Sequence, residues 1–218
     1  MSLLVVLSEP KSASVTIHNS TFDGADSTTY TFSSQPIGEK TATKVVVAGI
    51  AHHTLTSAEI SSVSVGGVAA TLVTNVTDGT GNIKSSLWQA SVSSSSSVDV
   101  TVDLNATAIR CGLALWSLHG ASSISLDTAT YGTAASTSAS VGIDVPDGGA
   151  LIALHDGAAT NTTWTNVSST GDFNQPLEGT PFSGASKSFS GTQTNLLIRA
   201  EDGVSSNRTM VVASWGPF

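Results

Sequence analysis

The run Ala108-Ile109-Arg110-Cys111-Gly112-Leu113-Ala114-Leu115-Trp116-Ser117-Leu118 is the longest nearly continuous apolar stretch of the chain, and it constrains the fold most. A membrane-spanning helix needs about 20 apolar residues, so this run is too short to be one. It lies between Ser/Thr-rich flanks that read as turns and exposed strands, and a run of that kind reads as a central strand buried on both faces. Two other runs, Lys44 to Ala51 and Thr209 to Trp215, are rich in β-branched residues and are expected to flank it in the core.

Long helices do not fit the rest of the sequence. Nearly three residues in ten are Ser or Thr and only 11% are charged, so heptads and i, i+4 charge pairs are missing, while Val, Thr and Ile fill the periodic segments. Alternation of period two runs through Ser14 to His18, Thr28 to Phe32, Ser61 to Val65, Val68 to Val73, Lys84 to Val92, Val98 to Leu104, Ile124 to Thr130, Ala139 to Val145 and Asn195 to Ala200. Gly66-Gly67 between two such segments predicts a two-residue hairpin. Asp78-Gly79-Thr80-Gly81-Asn82, Pro146-Asp147-Gly148-Gly149 and Asp202-Gly203 mark further turns. The expected fold is all-β, an antiparallel two-sheet sandwich of jelly-roll type occupying residues 1–218 as one domain.

Two halves echo each other. Pro36-Ile37-Gly38, then Val45-Val46-Val47-Ala48, then Arg110 and Trp116 are followed later by Pro146-Asp147-Gly148, Leu151-Ile152-Ala153, Arg208 and Trp215. Either the chain is an internal duplication with a boundary near 130–145, or strands buried in one sandwich resemble one another because the same patterning rules act on each.

The chemistry is mostly negative. Eight Lys and Arg stand singly against sixteen Asp and Glu, giving a formal charge of −8 and no basic stripe for a row of phosphates, so nucleic-acid binding is not expected. Cys111 is the only cysteine, which rules out an intramolecular disulfide, and its apolar surroundings read as a small buried hydrophobe. The leading segment lacks the length and basic start of a secretory signal, and no membrane partner is expected. A nucleophile elbow, a zincin helix and a P-loop are absent. Ser8 and Lys11 have Ser-X-X-Lys spacing, but Pro10 between them opposes the helix that would bring them together.

His52 and His53 are adjacent, so in a strand they point to opposite faces. His119 and His155 each end an apolar run and are expected to meet solvent; a shared metal site of His52, His119 and His155 is the arrangement a sandwich enzyme would need. The reading adopted has no catalytic residue, no metal and no cofactor. Most Asp residues sit in turns, and turn chemistry accounts for them. Trp116 and Trp215 lie in apolar runs, whereas Trp164, among polar residues, is the candidate for contact with a glycan.

The chain resembles β-sandwich structural proteins of tailed bacteriophages and phage-like particles. The resemblance rests on Pro36-Ile37-Gly38, Lys44 to Ile50, the Val63-Ser64-Val65-Gly66-Gly67-Val68-Ala69-Ala70 hairpin, Val145-Pro146-Asp147-Gly148-Gly149 and the terminal Ala213-Ser214-Trp215. It implies a non-enzymatic virion protein made in the host cytoplasm, a head decoration or cement subunit or a tail or fibre part. Its partners would be copies of itself in a symmetric homo-oligomer and other virion proteins such as the major capsid protein. A carbohydrate-binding sandwich and a metal-dependent sandwich enzyme are the alternatives. Apolar side chains at the two chain ends, Leu3, Leu4, Val5, Val6 and Leu7 and then Trp215 and Phe218, are the expected assembly contacts.

Overall fold

The structure, a computed structural model, describes residues 12–39, 44–92, 95–157, 161–168, 171–177 and 180–218. The first part of the chain forms β1 (Ser14–Asp23), β2 (Ser27–Pro36), β3 (Lys44–His53), β4 (Ile60–Val65), β5 (Val68–Ala69), β6 (Thr71–Thr77), β7 (Ile83–Val92), β8 (Ser97–Ala108) and β9 (Arg110–His119). The remainder forms β10 (Asp127–Val145), β11 (Ala150–Asp156), β12 (Thr163–Thr165), β13 (Phe173–Leu177), β14 (Thr180–Ser188) and β15 (Gln193–Trp215). The described residues contain no helix.

The fold is an all-β antiparallel sandwich, as the alternation predicts, but it is built from three sheets. A central sheet has the order β1-β9-β3-β7-β6, and an outer sheet the order β2-β8-β4-β5. Val46, Ala48 and Ile50 of β3 and Cys111, Leu113 and Leu115 of β9 meet Val63, Val65, Val98, Val100 and Val102 of the outer sheet in one core. At the β4–β5 hairpin, Gly66 and Gly67 have φ of +61° and +77°, the left-handed pair that a two-residue turn needs.

The third sheet, β10-β15-β11-β14-β13 with β12 beside β15, folds over on itself. The start of β10 pairs with the end of β15, from Asp127↔Ser214 to Thr133↔Arg208. After register breaks around Ser136, the rest of β10 pairs with the start of β15, from Ser138↔Glu201 to Val145↔Gln193. Ala139, Ile143, Ile198 and Ala200 of this second layer close onto Leu151, Ala153, Met210 and Val212 of the first. A further core joins the two sandwiches: Val45, Val47, Ala114, Trp116 and Leu118 of the central sheet pack on Ile152, Leu154, Val211, Ala213 and Trp215. Thr209 to Trp215 therefore lies across a core from β9, not beside it in the same sheet. With apolar neighbours on both faces, β3 and β11 are buried along their whole length, which is why they read as continuous apolar runs instead of alternating ones.

The two sandwiches share a strand order. β1, β9, β3, β7 and β6 correspond in sequence to the start of β10, the end of β15, β11, β14 and β13. Trp116 pairs with Val47 and Trp215 with Ala150, so the two tryptophans occupy matching places and both fill the shared core. Arg110 and Arg208 do not match: the register sets Arg110 against His53 but Thr209 against Asp156. The second run of strands opens at Asp127, and residues 130–145 lie inside β10.

Candidate functional site: polar clusters and an apolar groove

Parity within β3 sends His52 into the first sandwich and His53 to the junction between the two. His52 Nε2 is 3.1 Å from the carbonyl of Ala58, and burial pulls its pKa down to about 4. His53 Nε2 is 2.7 Å from Asp156 Oδ2, with the carboxylate fully buried. Burial raises the pKa of Asp156, and the neighbouring His53 and Arg110 oppose that rise. Arg110 in turn donates from Nη1 to the carbonyl of Leu177 at 2.8 Å, tying β9 to β13.

A second polar group lies inside the folded sheet. Arg208 donates from Nη1 to Asp202 Oδ1 at 2.9 Å and from Nη2 to the Val204 carbonyl and to Ser206 Oγ, and neither side chain of the Arg208–Asp202 pair is exposed. His155 stands beside this pair, 1% exposed, and among the described residues neither ring nitrogen has a hydrogen-bond partner. Burial holds its pKa near 4, against the pull of Asp202. The expectation that His155 meets solvent is thus overturned: the folded-over layer of β10 and β15 covers the strand end.

Trp164 is corrected with it. The ring is 4% exposed and packs edge-on to His155 with centroids 6.2 Å apart, so it offers no face to a glycan. Pairing of β12 with β15, Trp164↔Ala200, turns the side chain inward, where the polar residues around it in sequence gave no sign of a core position.

His52, His119 and His155 are not brought together. His52 pairs with Cys111 near one end of β9 and His119 forms the other end, while His155 is in another sheet. Among the described residues no group of three His, Cys, Asp or Glu side chains is placed to hold a metal ion. Cys111 is fully buried, and burial pushes its thiol pKa far up, so it is not a reactive thiolate. Ser8 and Lys11 lie outside the described residues, as do Leu3, Leu4, Val5, Val6 and Leu7.

The sequence reading missed His18. Its Nε2 is 2.7 Å from Ser117 Oγ, and the same oxygen is 3.1 Å from His119 Nε2. Ser117 and His119, two apart in a strand, share a face that could have been read from the sequence. The arrival of His18 could not, because it depends on a register break in β1 between Ile17 and Asn19.

At the end of the molecule where the sandwiches meet, a groove of about 610 Å³ is lined by Val45, Val92, Leu118, Ala121 and Phe218, with Lys44 at its side. The C-terminal segment forms one wall: Ala121 bridges Pro217, and Phe218 donates its backbone N–H to Gly120. Leu126 lies against Gly216, where a Cβ would come within 2.7 Å of its Cδ1. Ile124, Leu126 and Phe218 are 69%, 61% and 62% exposed, large apolar side chains gathered at this end. Trp215, expected among the assembly contacts, is instead fully buried and donates from Nε1 to Gln89 Oε1 at 2.9 Å. Its ring belongs to the shared core and cannot reach a neighbour.

The chain matches no protein-family model and no curated protein.

Proposed function

We propose that this chain is a non-enzymatic structural subunit of a bacteriophage or phage-like particle, a capsid decoration or cement protein or a tail or fibre component, and that it works as a homo-oligomer. The observation that carries the reading is the exposed apolar set Ile124, Leu126 and Phe218 beside the groove at the sandwich junction. Side chains of that size are costly to leave in water, at about 25 cal/mol for each Å² that association would bury, and obligate interfaces are more apolar than ordinary surface. A second copy of the chain is the partner that fits, because the chain is hydroxyl-rich and only 11% of its residues are charged, so few charges have to be desolvated where two copies meet. The three-sheet stack suits a particle subunit, since strands covered on both faces resist local opening.

The test has two arms. Light scattering coupled to size exclusion should give an oligomer for the native chain and a monomer with native far-ultraviolet circular dichroism for Ile124→Glu with Leu126→Glu. Mass spectrometry of purified particles should find the chain in stoichiometric amounts. A native chain that stays monomeric at high concentration, or particles lacking it, would overturn the reading.

A further inference from the structure

We propose that His18 and His119, joined through Ser117 at the end of the first sandwich, form a binding site for a borderline divalent transition-metal ion of the zinc class. Two features of the chain aim the His18 imidazole, and a third, a shared hydroxyl, brings it and His119 to one point.

The first is the β-bulge. β1 pairs Ile17 with Trp116 and Asn19 with Leu115, which leaves His18 as the extra residue with no partner in β9. A bulge re-aims the side chain it carries, and bulges are enriched beside functional sites for that reason. In regular pairing His18 would lie opposite Leu115; the bulge brings its ring to Ser117 instead.

The second is Gly38. A Cβ at this position would stand 2.6 Å from His18 Cε1 and 3.2 Å from Nε2, so any other residue would displace the ring. Gly38 also has φ of +81°, a conformation that side chains disfavour. The loop after β2 is therefore shaped to hold the imidazole where the bulge puts it.

The third is the hydroxyl. Ser117 Oγ is fully buried and stands 2.7 Å from one Nε2 and 3.1 Å from the other. A hydroxyl has one proton, so it donates to at most one of the rings. Both Nε2 atoms are thereby gathered around one oxygen, and neutral imidazole nitrogens are the commonest ligands for zinc, copper and nickel. The nearby Lys44 ammonium is engaged by the carbonyls of Ile37, Glu39 and Ser95.

No other histidine competes, because His52, His53 and His155 are buried. Metal bound through imidazole on the folded chain must therefore use His18 and His119, with water completing the shell and Ser117 ordering the pair. An ion there would link β1 to β9 at an end of the sandwich.

Equilibrium dialysis of the full chain, without a polyhistidine tag, against zinc at pH 7.5 tests the site. The expected result is saturable uptake of about one zinc per chain, weakened at least about tenfold by either His18→Gln or His119→Gln. Ser117→Ala is expected to keep uptake, since the hydroxyl orders the nitrogens and does not replace them. With copper as the probe, electron paramagnetic resonance should show two equatorial nitrogens for the native chain and one for each His variant. Circular dichroism on every variant separates loss of ligand from loss of fold. Absence of saturation at millimolar zinc, or uptake unchanged in a folded His18→Gln, His119→Gln double variant, would overturn the proposal.

Discussion

His53 Nε2 and Asp156 Oδ2 meet at 2.7 Å from matching places in the two sandwiches. His53 ends β3 and Asp156 ends β11, and each lies the same number of residues beyond the partner of the buried tryptophan, Val47 for Trp116 and Ala150 for Trp215. The chain thus locks its halves together with a polar contact at the end of an otherwise apolar junction. An unpaired carboxylate there would be expensive.

Asp156→Ala should therefore destabilise the chain by about 3 kcal/mol, because it removes the buried carboxylate that meets the His53 imidazole at 2.7 Å. His53→Leu with Asp156→Leu should cost less than Asp156→Ala alone, since neither polar group is stranded. Urea unfolding curves followed by tryptophan fluorescence would measure both, and a double variant no better than the single one would show that packing, not the polar contact, sets the cost.

The pH dependence follows from His52 and His155. Both have folded-state pKa values near 4 against an ordinary 6.5, lowered by burial. Between those values the unfolded chain binds more protons than the folded one, so stability is full above about pH 6.5 and falls as pH drops towards 4, by up to about 1.4 kcal/mol per pK unit for each group. Asp156 has the opposite sign: its raised pKa favours the folded state at low pH and withdraws that contribution as pH rises. Asp172, also raised by burial, acts with Asp156, and His18, lowered by burial, acts with His52 and His155, so three histidines against two carboxylates make acid destabilising. Urea midpoints at pH 7.5, 6 and 5 should decline, and His155→Gln should flatten the decline; an unchanged slope in that variant would mean that His155 is not the group responsible.

Much of this was legible in the sequence. The alternating segments became strands, β3 and β9 are adjacent in the middle of a sheet, and Gly66-Gly67 closes the hairpin. Ile124 to Thr130 and Ala139 to Val145 read as two strands; Ile124 to Leu126 precede the strand, and from Asp127 on the two segments are two layers of one strand bent at Ser136. What could not be read is the consequence of that bend. Covering the end of β11 buries His155 and Trp164, although local polarity around both pointed to solvent. His18 was missed for a related reason: a bulge is a relation between two strands, and nothing in Ile17-His18-Asn19 alone marks it.

Close approach of the two sandwiches sets the last prediction. Gly112 of β9 faces the Phe182 ring of β14, where a Cβ would stand 2.8 Å from Cε1, 2.9 Å from Cζ and 3.1 Å from Cδ1. Phe182 is fully buried and packs edge-on to Phe173 with centroids 5.1 Å apart, so the ring has no room to retreat. Gly112→Ala should therefore cost about 2 kcal/mol through overpacking, although alanine is otherwise better suited than glycine to a strand interior. Phe182→Leu made with it, a smaller side chain at the contact, should recover part of the loss. Thermal unfolding of the two variants checks this: a Gly112→Ala protein as stable as the native chain would mean that the sheets can separate by a few tenths of an ångström at no cost, which a junction filled by Trp116, Trp215 and Phe182 should not allow.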